Sequence, residues 1–313
     1  MPTSFLPCLA DALPPLTSVG QPLDLSEDAF GELRSSNDVL GNGEGLRRRM
    51  AEDGYLLLRN VLDRDRLMEA RAYITDSLAA EGYLDPGCPS IDSIARPDAA
   101  ITFRPDLAQA NTALHRVLYE GAMMRIFDEY FGEAVLHYDF TWLRAMAPGK
   151  SVPAHCDIVY MGRGTFDVLT AWTPLGDIAV DGGALMVLEG SHRKGAELAE
   201  YLSRDVDTYC SNGPNAQKIE AGEMQWEWDG ALDRDAAALQ ARLGGRWLSA
   251  DYELGDVLIF TMGTVHGSID NFSNRIRLSS DSRYQRASEP ADDRWIGPEP
   301  IGHSLAGKRG RIC

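Results

Sequence analysis

The stretch GDVLIFTMGTVHGS, residues 255–268, decides how the chain is read. It is a run of branched and aromatic residues without helical spacing, and it ends in His266-Gly267-Ser268, so it reads as a β-strand that carries a histidine. Four further stretches share its character: EAVLHYDFTWLRAM (133–146), FDVLTAWTPL (166–175), GALMVLEGS (183–191) and RIRLSSDSRYQ (275–285). Gly, Pro and an Asn-Phe-Ser-Asn run separate them. Upstream the period changes. From Gly43 to Leu84 a helix, a short strand and a second helix follow one another, the second helix with Asp63 as N-cap and Leu67, Ala70, Ile74 and Leu78 on one face. ALHRVLYEGAMMRIFDEYFG (113–132) adds one or two helices, closed by Gly132. Helices followed by a series of strands, without βαβ alternation, predict a mainly β fold with flanking helices, an antiparallel barrel or jelly roll with an N-terminal helical part.

The expected organisation is an irregular arm over 1–40, a single domain over 41–290 and a tail over 291–313. The charged, helix-compatible interval at about 192–248 reads as an insertion at the barrel mouth or a surface excursion. The 313 residues are 44% hydrophobic and 25% charged, ordinary for a globular protein, with a net charge of −17. That charge argues against nucleic acid and anionic membranes as partners. No apolar run is long enough for a transmembrane helix, and the start lacks the pattern of a signal peptide. Five scattered cysteines without a C-x-x-C pair suggest reduced thiols, and the expected location is cytoplasmic.

The chemistry centres on VPAHCDIVY, residues 152–160. In a strand His155 and Asp157 point to one face and Cys156 to the other. His266 is the other histidine embedded in a strong strand pattern. Two imidazoles and one carboxylate leave open positions on a metal, as in non-haem Fe(II) oxygenases, although this trio alone does not exclude zinc. His115 reads as a helix-surface residue, His137 as a strand residue beside Tyr138, His192 as a loop residue and His303 as part of the tail. Eleven positions after His266 comes Arg277, which starts a polar face with Ser279, Asp281, Arg283 and Gln285, opposite Ile276, Leu278 and Tyr284. A lumen-facing guanidinium needs an anion. Arg277 either grips a ligand carboxylate through two parallel hydrogen bonds, with the Ser268 hydroxyl assisting, or pairs with Asp281.

Three ordered blocks, HCD (155–157), AWTPLGDIAVDGGALMVLEGSHR (171–193) and VHGSIDNFSNRIRLSSDSRYQ (265–285), together resemble the phytanoyl-CoA dioxygenase family of Fe(II)- and 2-oxoglutarate-dependent oxygenases. EDGYLLLRNVLDRDRLMEAR (52–71) resembles its strand–helix opening. The resemblance implies a double-stranded β-helix (a cupin-like jelly roll), with His155, Asp157 and His266 as iron ligands. It implies that Arg277 and Ser268 hold the far carboxylate of 2-oxoglutarate, and that Trp172 lines the cosubstrate or is a core aromatic. Cys156 departs from the Gln or Ser common between the two ligands. Asp157 is retained where related halogenases carry Gly or Ala, so halogenation is not expected. The expected reaction is hydroxylation of an unactivated C–H bond of a small metabolite by dioxygen, with release of succinate and CO2. Tyr160, Arg163 and Arg283 are the expected contacts to the prime substrate. Rival readings are a desaturase or cyclase on the same iron, a non-catalytic jelly-roll binding protein with a vestigial metal site, and a metal-dependent isomerase or hydrolase that would have no use for Arg277.

Overall fold

A computed structural model of the chain describes residues 15–208, 217–218, 221–224, 228–300 and 302. The start of the expected arm, parts of the insertion, and most of the tail with His303 lie outside the described residues. One antiparallel sheet orders β4 (Tyr55–Leu58), β10 (Val257–Thr261), β7 (Val168–Pro174), β12 (Arg277–Arg286) and β5 (Val135–His137), with β6 (Trp142–Met146) also paired to β12. A second orders β11 (His266–Ser268), β8 (Leu185–Leu188), β9 (Trp247–Ser249) and β3 (Phe30–Glu32). The chain alternates between the sheets: β7 in the first, β8 and β9 in the second, β10 in the first, β11 in the second, β12 in the first. The fold is mainly β with helices packed on it.

The helices α1 (Gly43–Asp53), α2 (Arg64–Ala80), α3 (Pro105–Gln109), α4 (Thr112–Leu118) and α5 (Gly121–Phe131) bury their apolar faces with one face of the first sheet. Asp63 caps α2 by accepting from the Arg66 N–H at 3.1 Å. Leu67, Ala70, Ile74 and Leu78 are fully buried against Ala171, Ile259, Leu278 and Tyr284, each large aliphatic contributing about 1.5–3 kcal/mol by burial. The opposite face of the same sheet carries Thr170, Trp172, Asp281 and Arg283 and turns away from the helices. The helices thus leave the polar series of β12 no exit except inward.

Three details depart from the expected elements. The 255–268 stretch is two strands, not one: a turn closed by the Thr264 N–H to the Thr261 carbonyl (3.0 Å) carries the chain from one sheet to the other before His266. The 133–146 stretch divides into β5 and β6, which pair with successive parts of β12. The described part of the 1–40 arm is ordered: β1 (Thr17–Ser18) and β2 (Gln21–Pro22) form a hairpin, and β3 joins β9 in parallel. Asp270 tethers the hairpin, accepting from the Val19 and Gly20 N–H groups at 2.9 Å each, while Leu16, Leu23 and Phe30 supply buried apolar anchors.

Candidate metal centre

His155 and His266 meet by backbone pairing. Each donates its N–H to the other's carbonyl, at 2.9 and 3.0 Å, so the edge of the second sheet brings together imidazoles that are far apart in sequence. Their rings lie 4.2 Å apart. Asp157 does not sit in a strand beside His155. Its backbone is helical (φ −63°, ψ −25°) and precedes the short helix α6 (Ile158–Met161), so a turn, not strand alternation, brings the carboxylate round. Asp157 Oδ1 ends 3.8 Å from Nε2 of each histidine, and one ligand atom from each of the three residues lies within 4.8 Å of the others.

The protonation states suit a metal. Each imidazole hydrogen-bonds through Nδ1 to the carbonyl two residues earlier, His155 to Pro153 (2.8 Å) and His266 to Thr264 (3.0 Å). This places the proton on Nδ1 and leaves the Nε2 lone pair toward the centre. Burial, and then the neighbouring His266, push His155 down to about 3; burial also lowers His266. Both rings are therefore neutral at physiological pH. Burial raises the Asp157 carboxyl, but Arg283 and the two histidines outweigh it and hold the group well below the usual carboxylate range. Two neutral nitrogens and a carboxylate, all buried, fit a divalent ion such as iron with open positions.

Arg277 is 5% exposed and has no acid of its own among the described residues. Its Nη1 donates to Ser279 Oγ at 2.5 Å, and its buried Nε has no partner among the described residues. Burial pushes the guanidinium down to about 9, with Arg144 adding repulsion, so it remains cationic near neutrality. Asp281, the alternative partner weighed from the sequence, instead accepts from Arg144 Nε at 2.9 Å. Ser268 is buried on the strand that carries His266, and its Oγ accepts the Val152 N–H at 2.8 Å, which leaves its own proton free to donate. The Trp172 ring lies 6.0 Å from the Arg277 guanidinium carbon and packs on Tyr252. It is a core aromatic that packs beside that guanidinium.

The three expected substrate contacts are placed differently. Arg283 is 2% exposed and donates to Asp157 Oδ2 at 3.0 Å, so it reaches the carboxylate of the triad and not outward. Arg163 is held by Asp205 (2.7 Å) and Asp207 (2.8 Å) in the insertion, in a network completed by Arg294 and Asp292. Tyr160 packs edge-on to His155, with ring centroids 5.6 Å apart, and donates to the Asp229 carbonyl at 2.7 Å. Beside it Tyr201 accepts from the Cys156 N–H and donates to the Gly230 carbonyl. Gly230 has φ +91°, and a Cβ there would lie 2.2 Å from Tyr160 Oη. Asp229 and Gly230 of the insertion are thus fastened beside His155 and Cys156. His192 lies apart from the centre, bonding the Ala51 carbonyl at 3.1 Å and packing against Gly54.

Two residues were missed from the sequence. Thr170 donates its hydroxyl to Asp157 Oδ2, and Arg144 pairs with Asp281 and acts on both imidazoles and on Arg277. Strand register would have found them, because Thr170 lies opposite Arg283 and Arg144 opposite Ser279.

A curated relative, the 1-deoxypentalenic acid 11-beta-hydroxylase of Streptomyces arenae, is 27% identical over 297 residues, 90% of this chain and 94% of the relative. Among solved structures, SnoK, described as the non-heme alpha ketoglutarate dependent carbocyclase from nogalamycin biosynthesis, matches with TM-score 0.55 at 18% identity, covering 78% of this chain and 84% of that one. EctD from S. alaskensis, in its apoform, matches with TM-score 0.54 at 16% identity over 93% and 94% of the two chains. At these identities the two structures speak for the fold. The family model for phytanoyl-CoA dioxygenase (PhyH) matches residues 50–279, and the chain belongs to that family of iron- and 2-oxoglutarate-dependent oxygenases.

Proposed function

We propose that the two sheets form a double-stranded β-helix over about 41–290 and that His155, Asp157 and His266 hold Fe(II) at its mouth. Arg277 and Ser268 bind the far carboxylate of 2-oxoglutarate. The observation that carries this reading is the pairing of a complete ligand set with a buried arginine that the protein supplies with no acid. When bound, the iron supplies the dioxygen chemistry that converts 2-oxoglutarate to succinate and CO2 and places the second oxygen atom in a C–H bond of a small-molecule substrate. The residues do the rest. Arg277 fixes the direction of the cosubstrate by its charge and fork geometry, Ser268 donates its free proton to the same carboxylate, and Trp172 closes one side. Tyr160, Tyr201 and the insertion exclude water from the metal side. The complete triad and an unspent Arg277 speak against a vestigial binding protein.

The substrate is an organic acid. Arg144 pairs with Asp281 and Arg283 with Asp157, and the buried Arg277 adds one positive charge in excess. A ferrous ion and a 2-oxoglutarate dianion cancel each other, so the excess remains. Arg144 uses Nε on Asp281 and keeps both Nη groups for a ligand. The Streptomyces relative is named for an acid. The free thiols of Cys88 and Cys156 suit a reducing cytoplasm, and no helix among the described residues is long and apolar enough to cross a membrane.

The test is substrate-dependent succinate release over a panel of apolar carboxylic acids and their methyl esters. Acids should stimulate release and their esters should not. Arg144→Gln should lower kcat/KM for the best acid about a hundredfold, as for a lost bidentate ion pair. Equal stimulation by esters, or an indifferent Arg144→Gln, would refute the acid assignment.

A further inference from the structure

The two oxygens of Asp157 face different neighbours. Oδ1 lies 3.8 Å from Nε2 of each histidine, whereas Oδ2 accepts from Arg283 Nη2 at 3.0 Å and from the Thr170 hydroxyl. We infer that Arg283 is a positioning residue that, with Thr170, occupies Oδ2 and so fixes Asp157 as a one-oxygen ligand. This inference rests on the metal reading above.

Three observations carry it. Arg283 and Thr170 lie opposite each other on β12 and β7, so the sheet delivers both donors to one point. The guanidinium carbon sits 4.0 Å from the ring centre of Trp142, which fixes the plane of the fork. Finally, Nε and Nη1 of Arg283 are buried without partners among the described residues. Leaving buried donors unpaired is unfavourable, and the side chain is nevertheless held where its one polar contact is Asp157. An arginine placed only to neutralise charge would settle where more of its donors are used. A carboxylate free to swing could chelate through both oxygens and take a coordination position that the cosubstrate or dioxygen needs. Outer contacts of this kind orient ligands and tune metal sites.

Anaerobic titration of the intact protein with Co(II) tests this without turnover. Arg283→Gln should weaken Co(II) binding about 10–100-fold. It should also alter the cobalt ligand-field spectrum, because the released carboxylate can bind through both oxygens. Arg283→Lys should recover part of the affinity. Thr170→Val, which removes only the second donor, should weaken binding roughly three- to tenfold with a smaller spectral change of the same sense. If Arg283→Gln fails to fold, Arg283→Lys and Thr170→Val decide the matter. Wild-type affinity together with a wild-type spectrum in the folded variants would overturn the inference. Wild-type protein that binds no Co(II) would instead overturn the metal reading itself.

Discussion

Arg283 and Arg277 stand on the same face of one strand, six positions apart, and both are nearly inaccessible to water. They nevertheless do opposite jobs. At the metal end Arg283 has a built-in acid, Asp157, at 3.0 Å. At the far end the nearest candidate, Asp281, is taken by Arg144, and Arg277 is left with a serine hydroxyl and an unpartnered Nε. An internal pair fixes geometry, while an unpaired buried cation is a receptor for an anion that arrives from outside, since burial without compensation is strongly unfavourable. On the proposed function, the contrast separates the part of the site that the protein completes alone from the part that the cosubstrate would complete.

The largest test of this contrast is Asp157→Ala. It removes the carboxylate from the triad and strands the Arg283 charge, so succinate formation should fall below detection and Co(II) binding by at least two orders of magnitude, read by coupled assay and calorimetry. Next is Arg277→Leu. Breaking a buried charge pair costs about 2–5 kcal/mol, so the Kd for 2-oxoglutarate should rise roughly thirtyfold to several-thousandfold while Co(II) binding stays within twofold. A substitution that weakened both ligands equally would erase the division between the two ends. The smallest effect is expected of Ser268→Ala. A hydrogen bond to a charged group contributes about 1.5–3 kcal/mol, and part of that is lost because the hydroxyl also accepts from Val152. The Kd for 2-oxoglutarate should rise roughly tenfold, with metal binding unchanged; no change would remove Ser268 from the cosubstrate pocket.

Much of this was legible in the sequence for a physical reason. His266, Ser268 and Arg277 follow strand alternation over short distances, and alternation fixes the face that a side chain occupies. The helical N-terminal part was readable from the Leu67-Ala70-Ile74-Leu78 stripe. What stayed hidden depends on register and on turns. Whether Asp281 belongs to Arg277 or to Arg144 is settled by β6 lying beside β12. The strand reading of His155-Cys156-Asp157 gave the correct convergence by an incorrect geometry, because the helical turn at Asp157 has no marker in the local residue types. Arg163 and Arg283 were read as substrate contacts because their acids lie far away in the chain: Asp205 and Asp207 for the first, Asp157 for the second. The hairpin at 17–22 escaped notice because its anchor, Asp270, is about 250 positions downstream.

On the proposed function, a metal held by His155, Asp157 and His266 and a cosubstrate anchored by Arg277 meet in one site. Anaerobic titration of the Fe(II)-loaded protein with 2-oxoglutarate, followed by visible absorption, tests it most directly. A weak charge-transfer band that saturates with the cosubstrate in wild type, is lost in Asp157→Ala and needs far more 2-oxoglutarate in Arg277→Leu is the expected result. Iron and 2-oxoglutarate that both bind demonstrably and yet give no band would contradict the claim.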